Sequence, residues 1–169
     1  MAGTEHPFSS LNPGPLLASE VCVTLLVWCP VDPTSPLDVG RAWPRGLQVT
    51  NGVDADTPGV VMQPGESVRA ALARLAGALG LHAPAEPLNL LAVDQRPPTR
   101  EVPRDQFVLV FDGGWMPTEA LPVCGSCDES HLRWEPYETL PPTMAEALRV
   151  RMGAVDPPGV LWRGERPRE

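Results

Sequence analysis

One short stretch carries the residues whose types and spacing best fit ligand chemistry: Glu66, followed by Arg69 and Arg74. A carboxylate can act as a general base or as a ligand for a hard cation, and guanidinium groups bind phosphate and carboxylate oxygens through paired hydrogen bonds. We therefore predict an anionic ligand here, with Glu66 as the candidate catalytic residue. The alternative is structural, with Arg69 solvated, Arg74 in an ion pair and Glu66 stabilising a helix start.

A strand, a turn and a helix are predicted to position these side chains. Residues 60–62 suit a strand, Pro64 and Gly65 favour a turn, and Glu66 or Ser67 can satisfy the first unpaired N–H groups of a helix. The apolar positions that repeat at helical spacing, and so predict one buried stripe, are Val68, Leu72, Leu75 and Leu79.

This stretch resembles the Nudix box, the strand-loop-helix element of the Nudix hydrolase superfamily. The matching positions are Gly59, the Pro-Gly-Glu-Ser turn at 64–67, Arg74 and the closing pair Gly80 and Leu81. In that family the box carries an Arg-Glu pair in mid-helix and a Glu-Glu pair just before the closing glycine. The resemblance implies that these glutamates would hold magnesium.

The chain departs from the family pattern in chemistry and in register. Leu75 follows Arg74 where glutamate belongs, residues 77–79 replace the Glu-Glu pair, and no acid lies between Glu66 and Glu86. The interval from Glu66 to Gly80 is also one residue shorter than the family's. That difference turns the end of the helix by about 100° relative to its start.

Magnesium needs hard oxygen ligands in a near-octahedral array, and diphosphate cleavage uses it to activate water and neutralise charge. One glutamate cannot replace the missing cluster. The resemblance therefore implies a Nudix-fold protein with a degenerate box and no metal cofactor, a module that binds a small anionic or nucleotide-like ligand or a partner. Its fold is expected to be α/β (α+β), a mixed β-sheet sandwiched between helices.

Two alternatives stay open. The first is an atypical magnesium-dependent hydrolase of nucleoside diphosphate-linked compounds, which would use Glu66 with acids from outside the helix; the candidates are Asp94, Asp112 and Glu119. The second is a biosynthetic enzyme that reuses the pocket for metal-free acid–base or thiol chemistry. Loss of activity in Glu66→Gln would favour the first, and loss in Cys124→Ser or Cys127→Ser would favour the second.

The rest of the chain extends the resemblance from about residue 20 to 165. Segments 20–29, 47–50, 88–94, 107–112, 132–136 and 159–165 are predicted strands, and 140–155 is a predicted helix with Met144, Leu148 and Met152 on one stripe. Strands that end in Ala-Val-Asp and Phe-Asp-Gly-Gly are similar to those of many actinobacterial Nudix proteins. We predict one domain over residues 20–165 and a short tail at 166–169.

Three further residues are candidates for ligand contacts. Trp43 lies in a proline-rich loop over residues 30–44, where its ring can stack on a flat ligand or anchor the loop by burial. Asp112 and Trp115 flank the Gly-Gly pair that follows a predicted strand. Asp54 and Asp56, beside the Asn51-Gly52 turn signal, are interpreted as a solvated turn.

Composition limits the partners. The net charge is −8 and all 13 basic residues are arginine, so a nucleic-acid surface is not expected. The lack of lysine and the 22 prolines are typical of a GC-rich, for example actinobacterial, genome. Residues 1–19 fit neither a signal peptide nor a membrane anchor, which predicts a cytoplasmic protein. They form either a frayed tail or an arm that lies against the domain or makes a homodimer contact.

The four cysteines are Cys22, Cys29, Cys124 and Cys127. Cys124 and Cys127 have the spacing of a redox disulfide or of half a zinc site, but two free thiols in a surface loop are the favoured interpretation. Cys22 and Cys29 are an odd number of positions apart on one predicted strand. They are therefore expected to point to opposite faces of the sheet.

Overall fold

The computed structural model describes residues 19–40, 42–50, 55–56, 58–100, 102–122 and 132–167. The predicted arm up to residue 18, the Asn51-Gly52 turn and the Cys124–Cys127 pair lie outside the described residues. The strands are β1 (Glu20–Cys29), β2 (Arg45–Thr50), β3 (Ala55–Asp56), β4 (Gly59–Val61), β5 (Leu90–Arg96), β6 (Gln106–Trp115), β7 (Leu132–Glu135) and β8 (Gly159–Trp162). The helices are α1 (Val68–Ala78) and α2 (Pro142–Arg151), with a 3-10 turn at Tyr137–Thr139.

The strands form one mixed sheet in the order β3-β2-β1-β6-β5-β8, with β4 paired to β1 and β7 paired to β2. The pairs β1–β6 and β5–β8 are parallel, and the other pairs are antiparallel. Helix α1 packs on one face and α2 on the other. The expected mixed sheet between helices is confirmed.

Strand β1 lies in the middle of the sheet, as its apolar sequence predicts for a strand buried on both faces. Val23, Leu25 and Val27 belong to the core beneath α1, whereas Leu26 and Trp28 belong to the core beneath α2. This alternation follows from the two-residue period of a strand. Both cores are therefore built on β1.

Helix α1 begins as the sequence predicts. Ser67 is the N-cap, and its Oγ accepts a hydrogen bond from the Ala70 N–H at 3.2 Å. The predicted stripe faces the core, with Leu72, Leu75 and Leu79 buried and Val68 half-buried. Local capping and periodicity therefore fix the orientation of the helix.

Helix α2 is shorter than the predicted segment 140–155. It starts at Pro142, a residue tolerated in the first turn because no intrahelical bond to its nitrogen is needed. It ends at Arg151, just before Gly153, which has a φ of +73°. Met144 and Leu148 are fully buried, while Met152 is half-buried after the helix end.

Arg166, the first residue of the predicted tail at 166–169, contacts helix α2. The Arg166 guanidinium donates from Nε to Glu146 Oε1 at 3.1 Å and from Nη2 to Oε1 at 2.8 Å and Oε2 at 3.0 Å. The Glu146 side chain is only 6% exposed, so its charge needs such a partner. Arg166 is therefore attached to the domain. Within the described residues, no helix is long and apolar enough to cross a membrane.

Candidate ligand-binding site beside strand β4

Glu66 is held by the residues around it. Arg74 donates from Nε to Glu66 Oε1 at 3.0 Å and from Nη2 to Oε2 at 2.8 Å, and the Gln63 N–H donates to Oε2 at 2.8 Å. Arg74 Nη2 also donates to the Val61 carbonyl at 3.0 Å. The bonds from Arg74, and then the one from Gln63, lower the pKa of Glu66. Its carboxylate therefore joins β4, the turn and α1.

The outer face of α1 carries small residues and arginines. Arg69, Ala73 and Gly77 are exposed on it, as their helical spacing predicts. Arg69 forms an ion pair with Glu86, with Nη1 2.8 Å from Oε1, and both side chains are exposed. Solvent screens such a pair, so it contributes little to stability.

The described residues do not fit the magnesium that the usual Nudix box holds and that the hydrolase alternative would need. They contain no group of three or more His, Cys, Asp or Glu side chains placed to hold a metal ion. The acids named as helpers for Glu66 are instead paired in three different places: Asp94 with Arg96, Asp112 with Arg151, and Glu119 with Arg45. The structure does not bring them to Glu66.

A cavity of about 200 Å³ lies beside the box, on the α2 side of the sheet. Cys22 lies opposite Val61 of β4 and Val108 of β6, so the three share one face of the sheet. The residues that line the cavity include Cys22, Thr24, Val61, Arg96, Gln106 and Val108. It therefore combines an apolar floor with amide, hydroxyl and guanidinium groups, the usual make-up of a ligand site.

Arg96 is fixed in this cavity by a buried carboxylate. Its Nε donates to Asp94 Oδ2 at 2.8 Å, and its Nη2 donates to Thr143 Oγ1 at 3.1 Å. Thr143 Oγ1 donates to Asp94 Oδ2 at 2.8 Å, and the Gly164 N–H donates to Oδ1 at 3.0 Å. The Arg96 side chain is still 42% exposed, so it keeps donors for a ligand.

Burial of Asp94 favours its neutral form, but the bonds from Arg96, Gly164 and Thr143 outweigh this effect and lower its pKa. Asp94 is thus charged at neutral pH, although its side chain is fully buried. The carboxylate orients Arg96 and is not itself available to a ligand.

Cys22 is a free, half-buried thiol. Burial raises its pKa, Glu20 raises it further, and Arg96 opposes both. Glu20 itself accepts hydrogen bonds from Arg104 at 2.9 Å and Gln106 at 3.2 Å. Cys22 is therefore protonated at neutral pH and is not activated as a nucleophile. Cys124 and Cys127, the predicted thiol candidates, lie outside the described residues.

The remaining candidates lie towards the other end of β1. Trp43 stacks on Tyr137, with ring centroids 4.5 Å apart and an angle of 21° between the planes. Asp112 pairs with Arg151, whose guanidinium lies 5.4 Å from the centre of the Trp28 ring. Trp115 lies 6.2 Å from Trp28 between ring centroids. Asp112 and Trp115 are thus linked indirectly, through Arg151 and Trp28, and neither contacts Glu66, Arg69 or Arg74 in the described residues.

Sequence reasoning missed the cavity because its residues come from four strands. The available signal was in β5, where Asp94 and Arg96 interrupt an apolar strand two positions apart. Such positions share a face, so an ion pair on one side of the sheet was predictable. The participation of Cys22, Thr24 and Gln106 was not.

No protein-family model matches the sequence, and no curated protein matches it. Three solved structures are similar in fold. A MutT protein from Methanosarcina mazei Go1 has 16% identity and a TM-score of 0.53, over 83% of this chain and 97% of that one. The NUDIX domain of Shewanella oneidensis NrtR, complexed with ADP ribose, has 13% identity and a TM-score of 0.51, and the match covers 85% of this chain and 94% of that one. Shewanella oneidensis NrtR has 16% identity and a TM-score of 0.52, and the match covers 80% of this chain and 64% of that one.

These likenesses extend over 80% to 85% of this chain. The mixed sheet with its two helices thus has the Nudix fold, which confirms the expected fold class. The domain bounds at residues 20–165 and the resemblance of residues 59–81 to the Nudix box stay predictions.

Proposed function

We propose that this protein is a Nudix-fold module that binds a small, anionic, nucleotide-like ligand and does not act as a conventional magnesium-dependent diphosphate hydrolase. One observation carries the proposal: both carboxylate oxygens of Glu66 are bonded within the domain, and the helix that follows has no acid. A hydrolase of the usual type needs several free carboxylates at this place.

The ligand class rests on the cavity beside the box. Arg96 offers charge-assisted hydrogen bonds, while Thr24 and Gln106 offer neutral polar groups. The similar NUDIX domain of NrtR was solved with ADP ribose, a nucleotide-like anion. We therefore choose ADP ribose as the first probe.

The experiment is calorimetric titration of the purified protein with ADP ribose, with EDTA and then with magnesium. Each mixture is also followed by ³¹P NMR to detect hydrolysis. We expect binding that does not require magnesium and a phosphorus spectrum that stays unchanged. Turnover that requires magnesium and disappears in Glu66→Gln would instead establish the atypical hydrolase.

A matched pair of variants tests the place of binding. Val61 is 47% exposed at the cavity, and Val160 is 54% exposed on edge strand β8 without lining the cavity. Val61→Trp should fill the cavity and weaken binding about tenfold or more, a loss of about 1.4 kcal/mol or more. Val160→Trp introduces the same ring elsewhere and should bind normally. Equal affinity in the two variants would contradict the assigned cavity.

A further inference from the structure

A second cleft, of about 340 Å³, lies where β5 leaves the sheet and the turn after β8 approaches it. Its lining residues are Arg96, Pro97, Pro98, Thr99 and Arg163. Only Arg96 also lines the cavity beside the box. The cleft therefore has its own walls and its own charge.

The turn that carries Arg163 has an unusual residue at its first central position. Trp162 and Glu165 exchange backbone hydrogen bonds of 2.7 and 3.0 Å, and Arg163 and Gly164 have φ angles of +55° and +76°. Positive φ at both central positions defines a type I′ turn, which favours Asn-Gly. Arginine is not a residue that this backbone prefers, so the turn geometry does not explain its presence.

The backbone fixes where this arginine emerges. The Arg163 N–H donates to the Gln95 carbonyl at 3.0 Å, and the next N–H, of Gly164, donates to buried Asp94. The turn is thereby attached to the end of β5, directly beside Pro97 and Pro98. The base of the Arg163 side chain is therefore held at the cleft.

The two arginines of the cleft differ in charge balance. Asp94 neutralises Arg96 at 2.8 Å, whereas Arg163 forms no ion pair with any residue in the described ranges. Arg100, close to Thr99, is exposed and likewise has no ion-pair partner there, and Glu165 is the exposed acid of the turn. The cleft keeps at least one guanidinium, that of Arg163, which no carboxylate of the described residues contacts as an ion pair.

The opposite wall is rigid and apolar. The pyrrolidine rings of Pro97 and Pro98 lose no rotamer freedom when a ligand contacts them. A flat or aliphatic ring can therefore lie against them while an attached anion reaches Arg163.

We propose that this cleft binds an organic oxyanion, a phosphate or carboxylate attached to a ring, with the anion on Arg163 and the ring on Pro97 and Pro98. The site is distinct from that of the proposed nucleotide-like ligand because Arg163, Pro97 and Pro98 do not line the cavity beside the box, although Arg96 lines both.

The test is titration with phenyl phosphate and, separately, benzoate, followed through the arginine side-chain Nε–H signals in ¹⁵N NMR. The chain has 13 arginines and no lysine, so these signals sample all of its basic side chains except the three histidines. We expect saturable shifts centred on Arg163 with at least one of the two compounds. The compound that binds more tightly shows whether the cleft prefers a phosphate or a carboxylate. Inorganic phosphate, which has no ring, should bind more weakly.

Arg163→Asn provides a variant that keeps the fold. Asparagine suits the first position of a type I′ turn, so the melting temperature should stay the same or rise. Affinity for the stronger compound should fall about tenfold or more, because a charge-assisted contact is lost. Arg45→Gln, which removes an exposed arginine paired with Glu119, should leave binding unchanged.

Three results would overturn the site: no saturable shift with either compound, equal affinity in Arg163→Asn and the unchanged protein, or equal affinity for inorganic phosphate. The same variants distinguish the cleft proposed here from the proposed cavity beside the box. Arg163→Asn should still bind ADP ribose if the cavity beside the box is correct, and Val61→Trp should still bind phenyl phosphate or benzoate if this cleft is correct.

Discussion

The charged residues at the two ends of β1 differ in the geometry of their hydrogen bonds. At the box end, Glu66 and Asp94 accept well-aligned hydrogen bonds from Arg74 and Arg96 and from backbone N–H groups. At the other end, Arg151 Nε lies 2.6 Å from Asp112 Oδ2 but without hydrogen-bond geometry.

The indole nitrogen of Trp28, beneath Arg151, is also buried without a partner among the described residues. The charges at the box end thus maintain local structure, whereas at the far end the ion pair of Arg151 with Asp112 lacks hydrogen-bond geometry at Arg151 Nε. The contrast teaches that an acid or arginine in a family motif reveals its role only through its bonding partners.

The strongest test of this contrast is Asp94→Asn. We expect the free energy of unfolding to fall by about 3 kcal/mol, the lower end for breaking a buried ion pair, because Arg96 is partly hydrated. Urea denaturation followed by circular dichroism measures the change. Asp105→Asn is the control, since the Asp105 side chain has no hydrogen bond or ion pair with the described residues. An equal effect of both substitutions would show that Asp94 is not a structural centre.

Asp94→Asn should also change how the stability of the folded protein depends on pH. The pKa of Asp94 is lower in the folded protein, so its stabilisation is complete above the unfolded value of about 3.9 and is lost as pH falls below it. Denaturation midpoints measured between neutral pH and about pH 3 should therefore fall less steeply in Asp94→Asn than in the unchanged protein. Parallel profiles would assign the acid sensitivity to other carboxylates.

A smaller effect is expected for Glu66→Gln. The amide keeps an oxygen for the Gln63 N–H but loses the charge that Arg74 binds at two positions. We expect the thermal midpoint to fall by about 2–4 °C near neutral pH. Below the unfolded glutamate pKa of about 4.3 the difference should shrink, because that pKa is lowered by folding. A higher midpoint would mean that Glu66 is strained, as residues kept for catalysis are.

The smallest effect is expected at the far end of β1. Arg151→Met, made in the Asp112→Asn background and compared with Asp112→Asn alone so that no carboxylate is left unpaired, removes a buried Nε that makes no hydrogen bond and leaves an apolar chain of similar length over Trp28. The free energy of unfolding should change by less than about 1 kcal/mol, measured as for Asp94→Asn. A loss as large as that of Asp94→Asn would abolish the distinction between the two ends.

Local rules in the sequence predicted most of the fold. The apolar run of β1, the Ser67 cap and the stripe of α1 each depend on residues close in sequence, and each was correct. The attachment of Arg166 to Glu146 was missed because its cause is the burial of Glu146, a tertiary property.

The candidate site was less predictable for the same reason. Glu66 and Arg74 were located from the motif, but only the structure shows that they are bonded to each other. For Trp43 the sequence allows either stacking on a ligand or anchoring of the loop. Its contact with Tyr137 depends on a residue 94 positions away in sequence. The two arginines of the second cleft meet across β5 and the turn after β8, which no local pattern links.

The parallel pairing of β1 with β6 has a consequence for how the chain folds. Glu20 and Gln106, at the start of this pair, are 86 residues apart, so a long loop must close before the centre of the sheet exists. During synthesis, β1 emerges early as an apolar strand whose parallel neighbour has not yet been made. The topology therefore favours slow folding, during which the apolar residues 20–29 stay exposed until the loop closes.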